Sequence, residues 1–257
     1  MKTQNAEKKS GSGTSPYMII AILVLGMIWI YTGKNPFTLI FDKMFNAYES
    51  FVKTDSKKES ETLTITPERI FLNKLQSAMD IENETTRIFA LNLAAKYPGE
   101  YNIDQICSVY DELKNNWAYV NDPRGIEYVA KASISIKAGL KGDCDDFAIL
   151  MATMIESIGG SARIVAAYNE NSGHAYTEVF IGKADKMNSC LEAINRHYTS
   201  FFEQAFGVSS VDRLNYYTDS NGNAWLNLDW TSKYPGGKHF DATKRTFYYP
   251  RDNKYIN

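Results

Sequence analysis

Gly142-Asp143-Cys144-Asp145-Asp146-Phe147-Ala148-Ile149-Leu150-Met151-Ala152-Thr153-Met154-Ile155 is the stretch on which the reading of this chain turns. From Phe147 onward, apolar side chains fall on every side of a 3.6-residue turn. The segment therefore reads as a helix over 144–158 at the centre of a core, stopped by Gly159-Gly160. Its first residue is a cysteine. A helix N-terminus offers unpaired N–H groups and partial positive charge, which favour a thiolate and can face a developing oxyanion. The carboxylates of Asp143, Asp145 and Asp146 pull the other way, so activation of Cys144 calls for a nearby histidine or cation.

Two apolar runs follow, 162–168 and 174–181, joined by the turn residues Asn169-Glu170-Asn171-Ser172-Gly173; they read as adjacent antiparallel strands. His174 opens the second, where its side chain can point along the sheet edge toward the helix start. Further on, Trp225-Leu226-Asn227-Leu228-Asp229 alternates, with Trp225, Asn227 and Asp229 on one face and the leucines on the other. Strands at 214–217 and 245–249 complete the sheet. Asp219 and Asp241 are alternative acids in turn-like contexts. His197, on a helical pattern over 187–205 stopped by Gly207, and His239, after a Pro-Gly-Gly turn, are alternative bases.

Upstream, Thr66-Pro67-Glu68 starts a helix, a second runs over 82–96, and Asn102 with Gln105 forms a capping pair for a third. In that third helix Ile103, Ile106, Cys107, Tyr110, Leu113 and Trp117 share a face, which places Cys107 in the core. Helices feeding an antiparallel sheet make an α+β layout.

The Gly-Asp-Cys-Asp-Asp word at Cys144, His-Ala-Tyr-Thr-Glu at His174 and Trp-x-x-x-Asp ending at Asp229 together resemble the transglutaminase-like superfamily over about 102–231. Within it the similarity is to the microbial cysteine proteases. Asn116-Trp117-Ala118-Tyr119-Val120-Asn121-Asp122-Pro123 resembles the family's helix end and Asp-Pro turn. The resemblance implies a papain-like core, a central helix packed on an antiparallel sheet. It also implies Cys144 as nucleophile, His174 as base and then acid, and Asp229 as orienter of the imidazole. The implied activity is that of a peptidase or amidase working through a thioester on a protein or peptide substrate. The alternative is a non-catalytic module that binds proteins or peptides. About fifty-five residues separate His174 from Asp229, more than the family often shows, and 183–223 reads as an insertion such as a lid or a substrate-reading element.

With 257 residues, 44% hydrophobic and 13% aromatic, the chain can bury one full core. Thirty acids against 28 bases, with no basic run carrying interleaved aromatics, give no reason to expect nucleic acid. Residues 16–33 are uncharged and ~27 Å long as a helix, enough to cross a bilayer. Lys2, Lys8 and Lys9 precede them, and no small-x-small cleavage site follows. The expected layout is a cytoplasmic tail at 1–15, an uncleaved single-pass anchor at 16–33, a juxtamembrane segment and linker at 34–65, and an extracytoplasmic domain at 66–257. Three cysteines do not make a disulfide framework. No Cys/His set has zinc spacing, and Asp143 with Asp145 reads as complementing the helix dipole rather than holding calcium. Neither a metal nor a cofactor is expected.

Overall fold

A computed structural model describes residues 66–125 and 128–257. The expected anchor at 16–33 and the linker at 34–65 lie outside them. Among the described residues no helix is long and apolar enough to cross a membrane. Among the described residues four helices precede the buried one: α1 Pro67–Ala78, α2 Glu84–Ala94, α3 Ile103–Asn116 and the short α4 Ala132–Lys137. The starts of α1, α2 and α3 are set by side-chain caps. Thr66 accepts from Arg69 N–H at 3.2 Å, Asn83 from Thr85 N–H at 3.0 Å, and Asn102 from Gln105 N–H at 3.1 Å. The capping pair expected at Asn102 closes in one direction only, because Gln105 Nε2 donates to Tyr97 O at 2.9 Å.

The expected central helix is α5, Cys144–Ser157, and every residue in it from Asp145 onward is buried. Six strands form one antiparallel sheet in the order β5-β6-β4-β3-β7-β8, with β3 Ala162–Tyr168, β4 Gly173–Lys183, β5 Tyr216–Thr218, β6 Asn223–Asn227, β7 Lys244–Tyr249 and β8 Lys254–Ile256. A separate two-residue parallel ladder, β1 Ala118–Tyr119 on β2 Lys141–Gly142, leads into α5.

The period of two sorts side chains onto the two sheet faces. Ile164, Ala166, Ala175, Val179, Leu226 and Leu228 join the core that contains α5. Thr177 Oγ1, donating to Ala148 O at 2.6 Å, ties β4 to that helix. On the opposite face Val165, Ala167, Tyr176, Trp225, Phe247 and Tyr249 form a second cluster. Cys107 is fully buried, as its helical spacing predicts.

The segment expected to be an insertion contributes α6, Met187–Phe206, ended by Gly207 at φ +70°. Met187, Cys190, Ile194, Tyr198 and Phe202 of α6 belong to the same core as α5. The helix is thus a wall of the domain and not a separate flap. Its polar seam is His197, with Nδ1 3.0 Å from Asp104 Oδ1 and Nε2 3.5 Å from Asp111 Oδ2 on α3. Asp111 and Asp104 hold the imidazole above its usual pKa, against the opposing effect of burial. A raised folded pKa adds stability that is fully present below the unfolded value and is lost as pH rises through the folded one. Screened by solvent at these part-exposed acids, the clasp is expected to make His197→Ala cost about 1 kcal/mol at pH 5.5 and distinctly less at pH 9, read by thermal melts at the two pH values. An equal loss at both would contradict the charged clasp.

Candidate active site

The approach to α5 is built from a glycine and two carboxylates. Gly142 lies in β2, where Val120 N–H donates to Gly142 O at 2.8 Å. A Cβ there would sit 2.3 Å from Asp146 Oδ2, so this position is held to glycine by the close approach of that carboxylate. Asp146 Oδ1 accepts from Ala130 N–H at 2.8 Å, and burial pushes its carboxyl up to about 6. Asp143 is the extended N-cap, accepting from Asp145 N–H at 3.3 Å.

Cys144, the first residue of α5, is half-buried. The backbone N–H of Ala175, the residue that follows His174, is near enough to the Cys144 sulfur to favour its thiolate, so the sulfur lies against the start of β4. The donor atoms of Asp143, Cys144 and Asp145 lie within 4.8 Å of one another, the one cluster of metal-ligating type among the described residues. Two carboxylates fall short of the six or more oxygens that calcium takes. The thiol differs from the sequence expectation. Burial pushes it up to about 12, and Asp143 and Asp145 add to this while the N–H groups of Ala175 and Cys144 oppose it. At this helix start, desolvation and two neighbouring anions outweigh the dipole.

His174 meets an acid as expected: Nε2 lies 2.9 Å from Asp229 Oδ2, with 8% of the imidazole and none of the carboxylate exposed. The ring packs between Tyr176, 6.0 Å away and nearly parallel, and Phe240 at 5.0 Å. Engagement of Nε2 leaves Nδ1 as the ring nitrogen for a second partner. Asp229 lies two residues beyond β6, which ends at Asn227, so its position comes from a turn and not from the ladder. Oδ1 accepts from Thr231 N–H at 2.9 Å, and the Asp229 N–H donates to Asn227 Oδ1 at 3.1 Å.

The alternative residues go elsewhere. Asp219 caps the 219–223 turn, accepting from Asn221 N–H, Asn223 N–H and Trp225 Nε1 at 2.9 to 3.1 Å. Asp241 offers its backbone carbonyl to Asn169. His197 is clasped to α3, and His239 faces Glu178, with 3.7 Å between Nε2 and Oε1. Of the three histidines, His174 is the one brought to both a buried acid and the segment that contacts Cys144.

The sequence reading missed three neighbours. Phe240 supplies one face of the imidazole packing. Tyr110 donates from α3 to the Asp229 turn. Glu178 forms a fully buried pair with Arg163, with 2.7 Å between Nε and Oε2. The alternation of β4 was the available signal for Glu178, since it places this residue on the face of His174 and Tyr176.

A family model described as the transglutaminase-like superfamily matches residues 89–189, which include Cys144 and His174 and end before Asp229. No curated protein matches the chain. Among solved structures, a candidate cysteine protease from Cytophaga hutchinsonii is 19% identical over 48% of this chain and 42% of its own, with a TM-score of 0.35. A candidate protease from Parabacteroides distasonis is 17% identical over 44% of this chain and 24% of its own, with a TM-score of 0.34. A structure named as a TGase is 16% identical over 79% of this chain and 41% of its own, with a TM-score of 0.27. The chain spans less than half the length of each of these proteins. The matched segment carries the Cys144 helix start and the His174 strand on which the motif rests, and over these residues the chain is similar to the transglutaminase-like superfamily.

Proposed function

We propose that the domain is a cysteine peptidase or amidase working through a thioester at Cys144. The observation that carries this reading is the buried His174–Asp229 bond beside the strand start that contacts the Cys144 sulfur. A thiol held protonated by burial needs its base at the moment of attack. As Sγ adds to the amide carbonyl, His174 Nδ1 takes the proton, the imidazolium being stabilised at Nε2 by Asp229. The start of α5 faces the developing oxyanion. Collapse breaks the C–N bond, and the proton passes from Nδ1 to the departing amine. Water, deprotonated by His174, then attacks the thioester and releases the acid and the thiol. An amine in place of water would give acyl transfer.

A protein or peptide substrate and attachment to the membrane through 16–33 belong to the same proposal. With the tail at 1–15 inside, the domain faces outward. The raised Cys144 thiol favours a second reading, a non-catalytic module that binds proteins or peptides.

Iodoacetamide labelling, followed by intact mass between pH 5 and 10, separates the two. Wild-type labelling is expected to rise with pH without a plateau near pH 6, and His174→Ala is expected to slow it about 100-fold at pH 7. Equal rates in the two proteins would leave the binding module as the better account.

A further inference from the structure

We propose that Tyr110 is a positioning residue for this site, its phenol fixing the Asp229 turn and thereby the carboxylate against His174. The inference rests on the acyl-transfer reading above. Asp229 stands just past the last sheet bond on its strand, Leu228 N–H to Thr177 O at 2.9 Å. Most of what then holds it is local: Asn227 Oδ1 on its N–H, Thr231 N–H on its carboxylate, and Ser232 N–H on its carbonyl at 3.0 Å. These bonds shape the turn but do not locate it in the domain.

Tyr110 supplies a tie from outside, across 119 residues of sequence. Its ring is fully buried in the middle of α3. Its one hydroxyl proton is shared between Asp229 O at 2.9 Å and Ser232 O at 2.8 Å, bridging both ends of the turn with one group. Burial and the nearby Asp229 charge push the phenol far above its ordinary pKa, so it stays a neutral donor throughout the working pH range. Proton transfer depends on the imidazole orientation to within a fraction of an ångström, and the carboxylate sets that orientation.

The test compares Tyr110→Phe with Tyr198→Phe, which loses a buried hydroxyl bonded to Asp111 Oδ1 at 2.6 Å on the same helix and leaves the turn alone. Two readouts are taken: turnover of p-nitrophenyl acetate, and the Nε2–H proton signal of the His174 ring followed by NMR at fixed pH. Tyr110→Phe is expected to lower turnover about 10- to 100-fold and to move the His174 Nε2–H signal upfield, as a weakened hydrogen bond to the Asp229 carboxylate requires. Tyr198→Phe should change neither.

In an Asp229→Asn background, Tyr110→Phe should add no more than about a 2-fold loss, since both act through one carboxylate. An equal loss in both backgrounds, or an unmoved His174 ring signal, overturns the inference and makes Tyr110 an ordinary core residue. Circular dichroism and a repeat at 10 °C keep a lowered melting temperature from deciding the result. If His174→Ala leaves wild-type turnover unchanged, the acyl-transfer reading itself falls. If His174→Ala abolishes turnover and Tyr110→Phe does not reduce it, only this inference falls.

Discussion

Cys144→Ala is expected to reduce the turnover of activated esters and peptide amides by about four orders of magnitude or more while leaving the domain folded. The substitution removes one sulfur from a half-buried position at the first residue of α5. Asp143 still caps the helix, and the Phe147-to-Ile155 face still packs on the sheet. Stability should therefore change by no more than about 1 kcal/mol. What disappears is the only atom at this junction able to form a thioester. Cys144→Ser keeps the shape and offers a hydroxyl that His174 must deprotonate from a much higher pKa, so it too should be nearly inactive. Side-by-side kinetics and thermal melts check both halves of the expectation. Turnover that survives in Cys144→Ala would mean that the chemistry, if any, is performed elsewhere.

The second large effect is on stability. Arg163 is 1% exposed and lies across the outer face of the sheet. Its guanidinium donates to Glu178 Oε2 through Nε and Nη2, at 2.7 and 2.5 Å, and to the Tyr249 hydroxyl at 2.7 Å. The Phe247 and Trp225 rings flank it, with centroids 4.3 and 4.5 Å away. Arg163→Met keeps the stem and removes the cation, leaving Glu178 buried without its partner. A loss of about 3 to 5 kcal/mol is expected, a large share of the stability of an ordinary domain.

The variant should also depend on pH in a definite direction. Burial already holds the Glu178 carboxyl above its usual range, with Arg163 opposing. Without Arg163 the folded pKa rises further. A raised carboxylate pKa favours the folded state below the unfolded value near 4.3, and that advantage is lost as pH rises through the folded value. Arg163→Met should therefore be least unstable near pH 4.5 and most unstable near pH 8. Urea melts at the two pH values read this directly. Adding Glu178→Gln should recover part of the loss and flatten the pH response; no recovery would mean that the cation acts mainly through its ring contacts.

The fold was legible wherever local chemistry and burial pointed the same way. The α5 apolar run, the turn at 169–173 and the β4 alternation each had a single physical solution, and α5, β3 and β4 appear where they were expected. The parts that escaped notice are those fixed by distant partners. The two-residue β1–β2 ladder has no pattern to show, and β8 is a three-residue edge strand. α6 was recognised as a helix, but one chain's spacing does not reveal that its apolar face completes the main core. At the site, Cys144 and His174 were marked by their places at element starts. Asp229 was visible as a residue but not as a turn position, because the bond from Tyr110 crosses the domain. The direction of the Cys144 pKa was misjudged for a related reason: the helix terminus can be read in sequence, whereas the amount of water excluded from the sulfur depends on tertiary packing.

The most direct test of Cys144 and His174 acting together is to trap the acyl-enzyme. The domain with an intact site, His174→Ala and Cys144→Ala are each mixed with p-nitrophenyl acetate, quenched in acid within milliseconds to seconds, and read by intact mass and peptide mapping. The predicted result is one acetyl group on Cys144 in the intact protein, removable by hydroxylamine, formed far more slowly in His174→Ala and absent in Cys144→Ala. Acetylation spread over lysines at equal rates in all three, with Cys144 unmodified, would contradict a nucleophilic cysteine served by His174.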